Sequence, residues 1–106
     1  CRVTLARRAA DKAGCVVLFK GPDTVIAGPD HAPMIVSSKT FQHASWLATA
    51  GSGDVLAGFI TGLLARGFDG FAAACLAAEL HFRCAEAFGP GLIAEDIPEM
   101  LPKVLR

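Results

Sequence analysis

No charge of either sign is in excess in this chain, which sets ten Lys and Arg against ten Asp and Glu over 106 residues. Without a basic surplus, charge gives little support to a nucleic-acid or membrane-surface role. Long apolar runs are missing too. The longest, Val55 to Ala65, is interrupted by Gly58, Thr61 and Gly62 and falls well short of the ~20 residues a bilayer span needs. A soluble protein is expected. The four cysteines, Cys1, Cys15, Cys75 and Cys84, contain no C-x-x-C pair, which argues against a zinc ribbon or a dithiol redox site. Cys15, Cys75 and Cys84 lie among Val, Leu and Ala and read as reduced core or helix residues of a cytoplasmic protein. No signal peptide, internal repeat or low-complexity tract is read in these residues. An initiator Met is also lacking, and the opening at Cys1 in mid-pattern suggests a piece of something longer.

What the chain does have is apolar content: 53% of residues, with 11 Gly and 6 Pro as punctuation. That suits one compact domain and excludes a disordered chain. Val3 to Ala13 predicts a short helix with Thr4 as cap and Gly14 as stop. Cys15 to Phe19 is a continuous apolar run, read as a central strand buried on both faces. Thr24–Ala27 and Pro33–Val36 flank Gly28-Pro29-Asp30-His31 and suggest a hairpin. Ser37 to Ser45 is polar and predicts a loop. Three helices follow: Asp54–Arg66 stopped by Gly67, Phe71–Phe88 capped by Asp69, and a last one with Asp96 and Glu99 at capping-box spacing and Pro102 as a kink. One central strand and a hairpin do not make a self-contained, doubly covered sheet. The expectation is part of an α/β domain.

The chemistry lies in Leu47-Ala48-Thr49-Ala50-Gly51-Ser52-Gly53-Asp54-Val55-Leu56. Glycines running into an apolar helix leave its first N–H groups unpaired at the positive end of the macrodipole, open to a phosphate. Asp54, stabilised as a carboxylate at that helix start, is placed to take or orient the proton of an accepting hydroxyl. This pairing is what phosphoryl transfer requires. On physics alone the same residues are explained more readily as a plain helix start capped by Ser52 or Asp54, because such caps are everywhere. The Gly-Lys-Ser/Thr element of a Walker A loop is absent.

The string ATAGSGDVLAG resembles the signature of the ADP- or ATP-dependent NAD(P)H-hydrate dehydratases, a branch of the ribokinase-like superfamily. KGPDTVIA (20–27), LLARGFDGFAAACLAAELH (63–81) and GPGLIAEDIPEMLP (89–102) resemble further stretches of that family, in the same order. The resemblance implies an α/β fold. Residues 1–106 would be a single partial domain, the C-terminal part of a ribokinase-like three-layer α/β/α sandwich. It further implies ADP-dependent dehydration of hydrated NAD(P)H, in which ADP (or ATP) phosphorylates the ring hydroxyl and phosphate is then eliminated. Carried over by position, Asp54 is the catalytic and substrate-binding residue. Ala50, Gly51, Ser52 and Gly53 form the anion hole, and Lys20, Gly21, Pro22, Asp23, Thr24 and Gly53 contact the nucleotide. Mg2+ is implied with the phosphates, as are a homo-oligomer and fusion to an NAD(P)H-hydrate epimerase domain in the parent chain. Two departures stand out. Gln42 to Leu47 lacks the family's Gly-Asn pair and gains Trp46, and Phe82 follows His81 where relatives often carry Gly.

Plainer roles compete for individual residues. Lys20 is as well explained as a solvent lysine before a turn. A zinc site from His81 and Cys84 would lack its remaining ligands, so His81 is read as a hydrogen-bonded helix histidine. His31 and His43 are read as loop residues without partners. Trp46 is read as an apolar contact at the strand edge, and Gly58 with Gly62 as a close helix-packing pair. Two functional alternatives stay open: a small-molecule hydroxymethyl or hydroxyethyl kinase of the same superfamily, and a non-catalytic assembly fragment.

Overall fold

The computed structural model describes residues 2–21 and 23–105. Helix α1 (Arg2–Ala13) leads to strands β1 (Val17–Phe19), β2 (Asp23–Gly28) and β3 (His31–Ser37), and a short 3₁₀ turn covers Ala44–Leu47. Helices α2 (Ser52–Ala65), α3 (Gly70–Phe88) and α4 (Asp96–Val104) complete the chain. The sheet is antiparallel in the order β1-β2-β3, so the fold is α/β with helices on both sides of the sheet.

Alternation along β2 builds the layers. Val25 and Ala27 point to one face and pack under Ala6 and Ala10 of α1, four residues apart on one helical stripe. Ile26 points to the other face, with Val36 of β3, and meets Ala74, Ala78 and Phe82 of α3. Alanines at these positions let α3 lie close to the sheet, while its opposite side buries Cys84 and Ala85 against Leu92 and Ile97. Truncating Ile26, which is fully buried, would cost about 2–5 kcal/mol.

The central strand is therefore β2, not the apolar run at Cys15–Phe19. Among the described residues only three of β1 pair, along one edge, and Phe19 is exposed. Cys15 is likewise exposed rather than in the core, whereas Cys84 is buried; all three described cysteines are free thiols, and Cys1 lies outside the described residues. The hairpin forms as expected, with Asp23 opposite Ser37. Thr4 lies inside α1 and not at its cap. Asp69 does cap α3, accepting from Ala72 N at 2.9 Å. At α4 the N-cap is Glu95, without a side-chain bond, while the Asp96 carboxylate accepts from Ile93 N in the preceding turn; the helix continues through Pro102. Gly58 and Gly62 stand exposed, with nothing within 4 Å of where a Cβ would be, so they are not a packing pair. No described helix is long and apolar enough to cross a membrane.

Candidate active site

Helix α2 begins with bare backbone. Gly51 takes φ +88°, a left-handed conformation that glycine enters without a Cβ clash, and so turns the 44–50 segment into the helix. Among the described residues, no side chain caps this end. The expected alternative, a cap by Ser52 or Asp54, is thereby overturned. The Ser52 hydroxyl turns back and donates to Leu47 O at 2.6 Å, and Asp54 stands exposed in the first turn. Ser52 N is bound to Thr49 O and Val55 N to Gly51 O. Among the described residues, the Gly53 and Asp54 amides alone in this turn lack a backbone acceptor, and they sit at the positive end of the helix.

A second wall approaches from β1. A Cβ on Gly53 would lie 3.0 Å from Lys20 Nζ, so the ammonium stands over the glycine motif. The turn carrying Lys20 is held by Arg2, which sequence reading did not single out. Its guanidinium donates to the carbonyls of Asp23 at 2.7 Å, Lys20 at 2.8 Å and Phe19 at 3.1 Å, and lies 4.7 Å over the Phe19 ring. Gly21 leaves room for it, since a Cβ there would run into the guanidinium. The Asp23 carboxylate accepts from Ser37 Oγ at 3.0 Å and so is committed to the hairpin mouth. Thr24 is buried and faces the space between the walls. Pro22 lies outside the described residues.

That space is an open cavity of about 470 Å³, the size of a small-ligand site. Lys20, Gly21 and Thr24 line one side and Ser52 and Leu56 another, with Ala78, His81 and Phe82 of α3 behind them. Ala50, Gly51, Gly53 and Asp54 are not part of its lining; they form the adjoining turn. The loop before the motif is anchored on α3. Phe41 stacks on Phe82 at 5.6 Å and the His43 amide donates to Glu86 Oε1 at 2.9 Å. His43 is thus tied through its own N–H, and His31, at the start of β3 rather than in a loop, has a ring partner, Phe71, stacked at 4.2 Å. Trp46 lies in the 3₁₀ turn, exposed, and not at the strand edge.

His81 is the least expected member. It is 4% exposed, and its Nε2 lies 3.0 Å from Ser52 O. A carbonyl only accepts, so Nε2 carries the proton. Burial pushes this imidazole from 6.5 down to about 4; the Ser52 bond opposes the shift and the Lys20 ammonium adds to it. Cys84, by contrast, is simply buried, its thiol pushed up to about 11. The ring is a neutral donor, as a hydrogen-bonded helix histidine should be. Its target, the first residue of α2, is what the sequence did not disclose.

The sequence model of the NAD(P)H-hydrate dehydratase family matches residues 1–103. The chain is 38% identical, over 99% of its length, to the bifunctional NAD(P)H-hydrate repair enzyme Nnr of Methanopyrus kandleri, and covers 21% of that protein. It is also 38% identical, over 91% of its length, to the ADP-dependent (S)-NAD(P)H-hydrate dehydratase of Neisseria meningitidis, covering 33% of it. Among solved structures, the ADP/ATP-dependent NAD(P)H-hydrate dehydratase of Bacillus subtilis, co-crystallised with ATP/Mg2+, superposes with a TM-score of 0.87 at 32% identity, over 98% of this chain and 38% of that one. The chain thus spans about a fifth to a third of the length of these curated relatives. With the matched residues running through both walls of the cavity, the chain belongs to the NAD(P)H-hydrate dehydratase family.

Proposed function

We propose that this chain supplies the phosphate-side wall of an ADP-dependent NAD(P)H-hydrate dehydratase, as one part of a longer domain that completes the substrate pocket. One observation carries the reading: an uncapped α2 start with free Gly53 and Asp54 amides, the Lys20 ammonium standing over Gly53, and the Asp54 carboxylate in the same turn. Helix end and lysine would hold the phosphate of ADP that is transferred. Asp54 would accept the proton of the ring hydroxyl as its oxygen bonds to phosphorus and AMP leaves. Breaking the C–O bond then releases phosphate, and loss of a proton from the neighbouring carbon restores the ring double bond. Thr24 and Gly21 line the cavity that adjoins this turn and suit contacts to the rest of the nucleotide. The names of the Neisseria and Bacillus relatives, ADP-dependent and ADP/ATP-dependent, support this choice of phosphoryl donor. The described residues contain no group of three or more His, Cys, Asp or Glu able to hold a metal. They therefore do not fit a resident magnesium site, and no step is assigned to the ion; any Mg2+ would arrive on the phosphates. Fusion to an epimerase domain is supported by the bifunctional relatives; self-assembly and a cytoplasmic setting complete the proposal.

The test uses the complete protein that carries these residues, wild type and Asp54→Asn, with hydrated NADH, ADP and magnesium. NADH absorbance should return with ADP only, and the variant should be slower by about a hundredfold or more. A folded, ADP-binding wild type that restores no absorbance overturns the reading in favour of a kinase acting on another alcohol.

A further inference from the structure

We infer that His81 is a positioning residue which, through the Ser52 carbonyl, orients and polarises the Gly53 amide as the anion-binding donor of the α2 turn. The inference rests on the anion-site reading above but adds a residue from α3, the last of the 63–81 stretch, to which that reading gives no role. Three observations converge. The His81 Nε2 proton is given to Ser52 O at 3.0 Å. The Ser52 carbonyl and the Gly53 N–H belong to one planar, conjugated peptide unit. The Gly53 N–H is one of the two amides of the turn with no acceptor inside the described chain.

The physics follows from that connection. In the α-helix Ser52 O already receives the amide four residues on, so the imidazole is its second donor. A second donor draws electron density onto the oxygen and makes the conjugated N–H a stronger donor in turn. This is the cooperative strengthening expected of hydrogen-bond chains in a low dielectric. The same bond fixes the plane of the peptide, which decides where the N–H points. Ser52 Oγ on Leu47 O secures the other side of the junction. Phe59 of α2 meets the ring edge-on at 6.2 Å and limits its rotation. Because burial holds the imidazole neutral, with Lys20 the charged group acting on it, the donor carries no charge that would compete for the anion.

Two measurements on the complete protein test this. In the wild type at neutral pH, nitrogen NMR should find His81 Nε2 protonated and Nδ1 bare. His81→Phe should move the Gly53 amide proton upfield and weaken ADP binding about three- to tenfold, the worth of one neutral hydrogen bond. His81→Gln, which keeps a donor of similar reach, should retain both signal and affinity. A wild type protonated at Nδ1 with Nε2 bare overturns the inference, as does a folded His81→Phe with an unmoved Gly53 amide. Should His81→Phe not fold, the wild-type tautomer decides. A wild type that binds no ADP overturns the nucleotide reading, while the Gly53 signal still decides the part played by His81.

Discussion

The two walls of the cavity are held by opposite means. The α2 junction is fixed from inside, by a buried hydroxyl and a buried imidazole acting on backbone carbonyls. The Lys20 turn is fixed from outside, by the Arg2 guanidinium lying across three carbonyls, two of these bonds at exposed positions. Buried neutral bonds are insensitive to salt but bring a titratable ring into the core. An exposed charged donor tolerates acid and is weakened where water competes. One wall should therefore fail with pH, the other by mutation at the surface.

Acid should produce the largest effect, and at the junction. The folded His81 pKa of about 4 lies below its ordinary 6.5, so the unfolded state binds the proton more readily in between. The stability tied to the neutral ring is complete above about pH 6.5 and is lost as pH falls through about 4. The whole shift is worth on the order of 3 kcal/mol. Urea melts at stepped pH should show this loss in the wild type and a much smaller one in His81→Gln. An equal loss in both would place the sensitivity elsewhere.

Next in size is the link between the walls. Gly53→Val puts a branched side chain where a Cβ already lies 3.0 Å from Lys20 Nζ. The ammonium must move off the helix start, and the approach of an anion to the Gly53 amide is narrowed. ADP affinity should fall by about thirtyfold, the scale of one charged hydrogen bond. Calorimetric titration beside a thermal melt separates this from unfolding, since by helix propensity valine is no worse than the glycine it replaces. Unaltered affinity would detach Lys20 and Gly53 from the phosphate.

These two predictions mark where the sequence was legible. Gly51 to Asp54 could be read locally, because glycines before an apolar helix specify their own geometry, and the hairpin at Gly28–His31 likewise. The α/β class followed from the order of elements. His81 bonding Ser52, and Arg2 bonding the turn at Asp23, are side chain-to-backbone pairings between distant segments. They leave no periodicity or spacing, because any carbonyl accepts regardless of the residue that owns it. The misreading of β1 has another cause. Five apolar residues in a row resemble a central strand, but centrality depends on which edges pair, and β2, at six residues with both neighbours paired, takes that place.

Arg2→Ala tests the outer wall. Three carbonyls lose a shared charged donor, two of them at exposed positions where water replaces it, so the stability cost should stay near 1–2 kcal/mol. Affinity for ADP should drop more than that implies for so remote a residue, about three- to fivefold, because the turn that aims Lys20 is loosened. Arg2→Lys should not rescue it, since an ammonium lacks the planar fork that reaches three oxygens at once. Full rescue by lysine would reduce Arg2 to a generic surface charge and remove the contrast between the walls.

Gly58→Ala should be the smallest effect and of opposite sign, because it lies outside both walls. Gly58 sits inside α2 on the exposed face, with nothing within 4 Å of a built Cβ and φ in the ordinary negative range. Alanine there meets no neighbour and reduces the freedom of the unfolded chain, so the helix should gain up to about 1 kcal/mol. ADP affinity should not change, since the junction is fixed by Ser52 and His81 and not by helix propensity further along. If the complete protein instead loses stability, this face of α2 is covered there by a surface that approaches too closely for a methyl group. The small residues Ala57, Gly58, Thr61 and Gly62 would then owe their size to that contact.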